Sequence, residues 1–363
     1  MANVLRVLRA NPLYLLLALV PAPFVVHATS PHAHTLSFLL SIGAIVPLAA
    51  LLSRATEEIA ARTGDAVGGL LNATLGNLTE AVIALAALRA GEYTLVKASI
   101  AGAIVANSLF MLGSSFLLGG LRHHVQSYNR ENARLQSGML FLATIALIVP
   151  SAVSASDRTP PAAFTQQLSL CLAVLLMVVY GLGLLFSLKT HRDAFGGEAH
   201  ESGGAKPWPV GIAIAVLAGV TVAVALVSEI FVESVQGAAA ELGMTPAFVG
   251  FVVVALVGGA AEMLAAFSAA RKDRLDMSVS IALGSAAQIA LFVAPLMVLA
   301  SYAVGPTPMD LRFWPGVVVM MLLAVITASS VTNSGKSTWF TGVSTVAAYL
   351  VFAITFFLLP PAS

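Results

Sequence analysis

Long apolar runs dominate this chain, and a run of about 20 residues with few charges is what a helix needs to cross a bilayer. Eleven such runs follow one another, at 12–27, 35–53, 66–88, 97–120, 137–155, 165–188, 209–231, 246–270, 277–303, 313–331 and 338–359. Backbone inside lipid must satisfy its own hydrogen bonds, so runs of this length restrict the fold to a helical bundle. The expectation is an all-α polytopic membrane protein with eleven transmembrane helices. Composition leaves little room for a soluble domain, since the 363 residues are 58% hydrophobic and only 10% charged. The net charge of +1 gives no electrostatic reason to expect nucleic acid. Cys171 is the only cysteine, which rules out an intrachain disulfide and a cysteine-cluster metal site. Arg6 and Arg9 ahead of an apolar run imitate a signal peptide, but so many spans follow that this run reads as the first helix of the bundle.

Polar punctuation separates the runs at His27–His34, Arg122–Arg134, Ser156–Pro161 and the Gly-rich stretch Lys189–Pro207. With the N-terminus placed in the cytoplasm, cytoplasmic segments hold 14 Lys and Arg residues and external segments hold 4. That asymmetry places the N-terminus inside and the C-terminus outside.

An internal repeat is visible. Sliding the chain by 182 residues lays Ala73, Gly76, Glu80, Ala87 and Arg89 on Ala255, Gly258, Glu262, Ala269 and Arg271. An offset of 181 then lays Lys97 to Ala101 on Ser278 to Ala282, and Asn107 on Gln288. The expected organisation is an N-terminus and first, peripheral helix over 1–34, then a first five-helix repeat over 35–188. A cytoplasmic polar linker over 189–208 and a second five-helix repeat over 209–363 complete it. Five is odd, so the second copy enters the membrane from the opposite side, and such inverted repeats build a site near the midplane where they meet.

The chemistry sits in the repeated stretches NATLGNLTEAVIALAALRA (72–90) and VALVGGAAEMLAAFSAARK (254–272). Each carries a mid-span carboxylate, Glu80 or Glu262, at a cost of about 2.5–3.5 kcal/mol on insertion scales. Asn77 lies one turn from Glu80, and Gly76, Gly258 and Gly259 are placed to loosen backbone and free carbonyl oxygens. Each carboxylate is followed by a mid-span amide, Asn107 or Gln288. Two carboxylates, three amides and carbonyls make an all-oxygen cage, which suits a hard cation such as Ca2+. No histidine or cysteine lies beside the pair, which argues against zinc, copper or nickel. Na+ or K+ would tolerate the same oxygens. Ser99, Ser280, Ser285 and Glu229 are secondary candidates, the serines read first as backbone-bonded and Glu229 first as a solvated helix end.

The stretches TEEIAARTGDAVGGLLNATLGNLTEAVIAL, KASIAGAIVANSLFMLG and VGFVVVALVGGAAEMLAAFSAARKDRLDMSVSIALGSAAQIALFVAP resemble the calcium/proton exchanger family of the cation/calcium exchanger superfamily. The likeness covers nearly the whole chain, and the GNxxE motif is Gly76 to Glu80. It implies paired inverted five-helix repeats with an extra first helix, and export of Ca2+ from the cytoplasm in exchange for H+. Two positions depart from the family pattern: Gly259 stands where an asparagine is usual, and Met263 where a histidine often follows the second glutamate.

The expected activity is secondary active cation/proton antiport by alternating access, with Glu80 and Glu262 binding metal or protons in turn. The alternatives are a Na+- or K+-linked exchanger and a monovalent cation/H+ antiporter on the same fold. No HExxH, paired catalytic aspartates or serine-nucleophile motif points to an enzyme, and no cofactor is expected. The lipid bilayer and the transported ions are the expected partners, and homo-oligomerisation is compatible with the sequence. Short termini suggest a prokaryotic cytoplasmic membrane.

Overall fold

An apolar run without water to bond has one economical solution for its backbone, the N–H to C=O bonds of a helix. The computed structural model describes residues 12–63, 65–154, 161–187 and 208–358, and helices occupy the positions of the apolar runs. They are α1 (Leu13–Thr29), α2 (His34–Ala60), α3 (Asp65–Leu75), α4 (Leu78–Arg89), α5 (Tyr93–His123), α6 (Arg130–Ser154) and α7 (Ala162–Leu185). After the divide come α8 (Val210–Glu241), α9 (Pro246–Gly258), α10 (Ala260–Arg271), α11 (Leu275–Ser301), α12 (Pro315–Thr332) and α13 (Trp339–Leu358). Among the described residues eight helices are long and apolar enough to cross a membrane, or nine spans if the bent pair α9–α10 counts as one. The expected turn at 156–160 and linker residues 189–207 lie outside the described residues.

Besides the 3-10 stretch Pro12–Leu19 that opens α1, two breaks and three bulges inside the helices depart from plain α-helix. The chain turns at Gly76–Asn77 between α3 and α4, and by 57° at Gly259 between α9 and α10. Single π-helical turns interrupt α5 at Ala106–Met111, α9 at Val249–Val254 and α11 at Ile289–Val293. Such bulges locally widen a helix and occur often at functional sites. The all-α expectation needs one correction. Val125–Ser127 (β1), inside what reads as a charged loop, pairs antiparallel with Lys336–Thr338 (β2), with Gln126 opposite Ser337. Three-residue strands this short form only because the bundle brings two loops together.

The helices α5 and α11 are central, with 89% and 72% of their apolar stretches buried against 22% for α7 and α13. Their C-terminal halves pack in matching fashion, α5 on α13 and α11 on α7, while α6 packs on α12 and α2 along α8. The α2–α8 pair is antiparallel: His34 meets Gly237, Phe38 stacks on Phe231 at 5.2 Å, and Glu58 accepts from the Trp208 N–H at 2.9 Å.

Lipid tails are as apolar as leucine side chains, so helices associate through close packing at small residues. Where α5 crosses α9, a Cβ on Gly102 would lie 2.1 Å from Phe251 O, and one on Gly250 2.6 Å from Ala98 Cβ. Gly102→Val should therefore destabilise the protein by about 3 kcal/mol or more, the upper end of overpacking costs. Gly138, with nothing within 4 Å of its Cβ position, is the control. The check is thermal unfolding in detergent, where Gly102→Val should lower the midpoint and Gly138→Val should leave it in place.

Candidate cation-binding site

Both glutamates sit in the first turn after a break, three residues beyond the residue that starts the helix: Asn77 for Glu80, Gly259 for Glu262. The N-terminus of a helix carries partial positive charge, so each carboxylate lies at the end that favours it. The breaks thus aim two helix starts into the middle of the bundle.

The two segments cross there, each carboxylate lying against a glycine of the other. Glu80 Cγ is 2.9 Å from the Cβ position of Gly258, and Glu80 Oε1 is 3.5 Å from that of Gly259. Glu262 Oε1 is 3.7 Å from the Cβ position of Gly76, which also has Gln288 Oε1 at 3.4 Å. A side chain at Gly258 would press into the space Glu80 uses, whereas one at Gly76 would meet Asn72 O at 2.7 Å and only touch Glu262 and Gln288. The Gly259 carbonyl accepts the Met263 N–H at 2.9 Å, and the Met263 side chain approaches the Cβ position of Gly259 at 3.4 Å.

Amides and one hydroxyl tie the two segments together. Asn77 Nδ2 donates to Gln288 Oε1. Ser285 Oγ donates to Asn77 Oδ1 at 2.7 Å and accepts from Asn107 Nδ2 at 2.9 Å. Gln288 Nε2 donates to Tyr180 OH at 3.3 Å. Asn77, Asn107 and Ser285 are buried. After these bonds are counted, Glu80 Oε1, Glu262 Oε2 and Asn107 Oδ1 remain buried without a donor among the described residues. Buried polar atoms are nearly always paired, so three unpaired acceptors in one cluster mark a place prepared for positive charge. A cavity of about 10 Å³ adjoins Glu80, Ser99, Ala103 and Ala255. Among the described residues no cluster of three or more His, Cys, Asp and Glu occurs, so the oxygens converging here are two carboxylates and amides.

Of the secondary candidates, Ser285 belongs to the cluster. Ser99 lines the small cavity and donates to Val96 O at 2.8 Å. Glu229 lies outside, paired with Arg89 at 3.2 Å on a half-exposed surface. Ser280 is removed from the carboxylates, one step along a polar row that sequence reasoning missed. Asp276, Ser280, Gly284 and Gln288 recur every fourth residue on α11, from an exposed end to the cluster. Asn132 and Gln136 of α6 face them: Asn132 Nδ2 donates to Ser280 Oγ at 3.0 Å, and Gln136 Nε2 to Asn132 Oδ1 at 3.1 Å. Gln136 Oε1 is buried without a donor, 3.8 Å from the Cβ position of Gly284. The period of four was legible, but its partner Asn132 was assigned to a loop and Gln136 fell just before the next apolar run. Tyr180 is a lone aromatic in an apolar run and gave no signal.

The sodium/calcium exchanger protein family matches residues 33–189 and 212–358. The chain belongs to that family. A Ca(2+)/H(+) antiporter of Aphanothece halophytica is 42% identical over 337 residues, covering 89% of this chain and 90% of its own. The Ca(2+)/H(+) antiporter ChaA of Bacillus subtilis is 38% identical over 319 residues, with 87% and 90% covered. The solved structure of YfkE matches with a TM-score of 0.82 at 34% identity, over 96% of this chain and all of that one. An H+/Ca2+ exchanger CAX shares the fold at a TM-score of 0.74 and 17% identity, covering 97% of this chain and 88% of that one. Family membership and the apolar helices make the chain an integral membrane transporter.

The crossing of the exchanger's two broken segments makes Gly258 the more demanding glycine. Gly258→Ala would push its Cβ against Glu80 Cγ, while Gly259→Ala meets Ala255 O at 3.3 Å and the flexible end of Met263. Gly258→Ala should weaken Ca2+ binding by roughly tenfold or more, in line with overpacking costs, and Gly259→Ala by much less. Calorimetric titration of both variants with Ca2+ tests this ordering.

Proposed function

We propose that this protein is a secondary active Ca2+/H+ antiporter that exports Ca2+ from the cytoplasm in exchange for H+ by alternating access. The observation that carries the reading is the pair of crossed carboxylates, Glu80 and Glu262, each with a buried oxygen that has no donor. Relatives 38–42% identical over most of this chain carry the name Ca(2+)/H(+) antiporter. Two bare carboxylates in low dielectric are costly, whereas one divalent cation or two protons neutralises them. Only the neutralised forms then pass readily between the two faces, and that condition turns transport into exchange.

Glu80 and Glu262 are assigned as the groups that bind Ca2+ and protons in turn. Asn107 Oδ1 is free to coordinate as it stands. Asn77 and Gln288 present their amides once the bonds they make to each other and to Ser285 are exchanged for the cation. Gly258 serves by giving the opposing Glu80 room, Gly76 by loosening the backbone at the break it occupies, and Gly259 by its carbonyl. Ca2+ accepts six to eight oxygens in flexible geometry, so water completes this set.

An eleven-span arrangement of a peripheral α1 and two inverted five-helix repeats accounts for the contacts between ends. Glu58, at the end of α2, bonds Trp208, at the start of α8. Elements at one face are separated by an even number of crossings; α5, α6 and α7 supply three, so α3–α4 supplies the fourth. The bond from the Asn129 N–H to Asp276 applies the same count to α6, α7 and α8, and supports reading α9–α10 as one crossing. The antiparallel α2–α8 pair and the matched packing of α5 and α11 suit inverted copies. The distribution of Lys and Arg supports an N-terminus inside, and relatives such as that of Bacillus subtilis support the cytoplasmic membrane of a prokaryote. The polar row from Asp276 to Gln288 then opens on the cytoplasm, and we assign it as the entry route of the cation.

Glu80→Gln and Glu262→Gln should each leave a folded protein without exchange. The assay is Ca2+ uptake by proteoliposomes loaded acidic inside, with no alkali cation present; normal uptake by either variant would remove the carboxylates from the mechanism. Protons and Ca2+ compete for one site, so the apparent Ca2+ affinity should fall as pH is lowered. An affinity independent of pH between 5 and 9 would contradict a shared site. Gly284→Val should narrow the entry route and slow uptake by roughly tenfold or more, while Ca2+ binding at equilibrium stays close to the parent value.

A further inference from the structure

We propose that the cleft between the C-terminal ends of α5 and α10 is a binding site for an anionic phospholipid. The two helix ends lie side by side, with the His123 Nε2 atom 3.1 Å from Arg271 O. Between them is a cleft of about 520 Å³, lined by Leu118 and Arg122 from α5, by Leu264, Phe267, Ser268 and Arg271 from α10, and by Lys272 just after it. That volume is within the range of sites that hold organic ligands.

The lining has a direction. On α5 the residue one turn before Arg122 is Leu118; on α10 the succession Leu264, Phe267, Arg271 also climbs from apolar to cationic. Both walls therefore grade the same way, apolar toward the middle of the helices and basic at their ends. Leu264 is 44% exposed, so among the described residues the apolar half is open at that side chain. The basic half lacks a counter-ion. Arg54, Arg89 and Lys97 each have a carboxylate within 4.0 Å, but Arg122, Arg271 and Lys272 have none among the described residues. The next acid along the sequence, Asp273, accepts instead from Gln126 Nε2 at 2.7 Å.

A soluble anion would match only the basic half of this cleft, and a neutral lipid only the apolar half. An anionic phospholipid matches both, with its phosphate at Arg122, Arg271 and Lys272 and the start of an acyl chain along Leu118, Leu264 and Phe267. Basic pockets between transmembrane helices are suited to such headgroups. The occupant would bridge α5 and α10, the helices that carry Asn107 and Glu262. The proposal concerns binding and stands independently of which ions the protein exchanges.

Native mass spectrometry of the full chain in detergent, titrated with phosphatidylglycerol, tests it. The parent should retain phosphatidylglycerol in preference to phosphatidylcholine. The triple variant Arg122→Gln/Arg271→Gln/Lys272→Gln should lose that retention by about tenfold or more. A control of equal charge change at exposed positions outside the cleft, Arg134→Gln/Arg274→Gln/Lys336→Gln, should stay within about twofold of the parent. Leu264→Glu, a surface change that places an anion in the groove, should also abolish retention and provides a second variant should the triple fail to fold. Equal losses in the cleft and control triples would mean a diffuse field and overturn the site. Retention of phosphatidylcholine equal to that of phosphatidylglycerol, or displacement of the lipid by millimolar inorganic phosphate, would overturn the assignment of the occupant.

Discussion

Two carboxylates meeting inside an apolar bundle are the constraint to which the rest of this molecule answers. Charge at that depth is tolerated only where something offsets it. The two helix breaks supply part of the compensation, because Glu80 and Glu262 each occupy the first turn of a new helix, where backbone N–H groups leave a positive end. The glycine opposite Glu80 completes the arrangement, since the absence of a side chain at Gly258 lets the segments cross with that glutamate between them. What remains uncompensated is the set of three acceptor oxygens without donors.

The polar cluster also decides which parts of the fold are coupled. Asn77 belongs to the first half of the chain and Gln288 and Ser285 to the second, and Asn107 reaches across to Ser285. A cation drawing on these amides would have to reorder bonds that hold the halves together. Occupancy and the relation between halves are therefore linked through one small network, without a long pathway. The π-helical turns of α5 and α11 fall at or just after Asn107 and Gln288, so each amide stands where its helix is locally widened.

Away from the centre the ends are fastened. Lys97 pairs with Asp310 and Tyr93 OH donates to Thr307 O at 2.5 Å, joining the start of α5 to the segment before α12. At the opposite end the β1–β2 ribbon and the bond from Asn129 to Asp276 join the loops around α5, α6, α11 and α13. The fold is shared with an exchanger only 17% identical. Apolar side chains facing lipid are interchangeable, while span length and the small residues at helix crossings are not.

The amino-acid sequence by itself determined where helices form, because lipid leaves the backbone no other donors, and run length is written directly in composition. It also marked Glu80, Glu262, Asn77, Asn107 and Gln288, since polar residues in the middle of such runs need a reason. It did not reveal Tyr180, Asn132 or Gln136, whose importance comes from what lies opposite them on another helix. The ribbon at Gln126 and Ser337 was illegible for the same reason, as strands of three residues have no pattern to read. Which glutamate reaches over which glycine, which amide oxygens are spent on neighbours and which are left free are facts of packing. They depend on distances between residues about 180 to 210 positions apart, and a linear chain carries no measure of those until it folds.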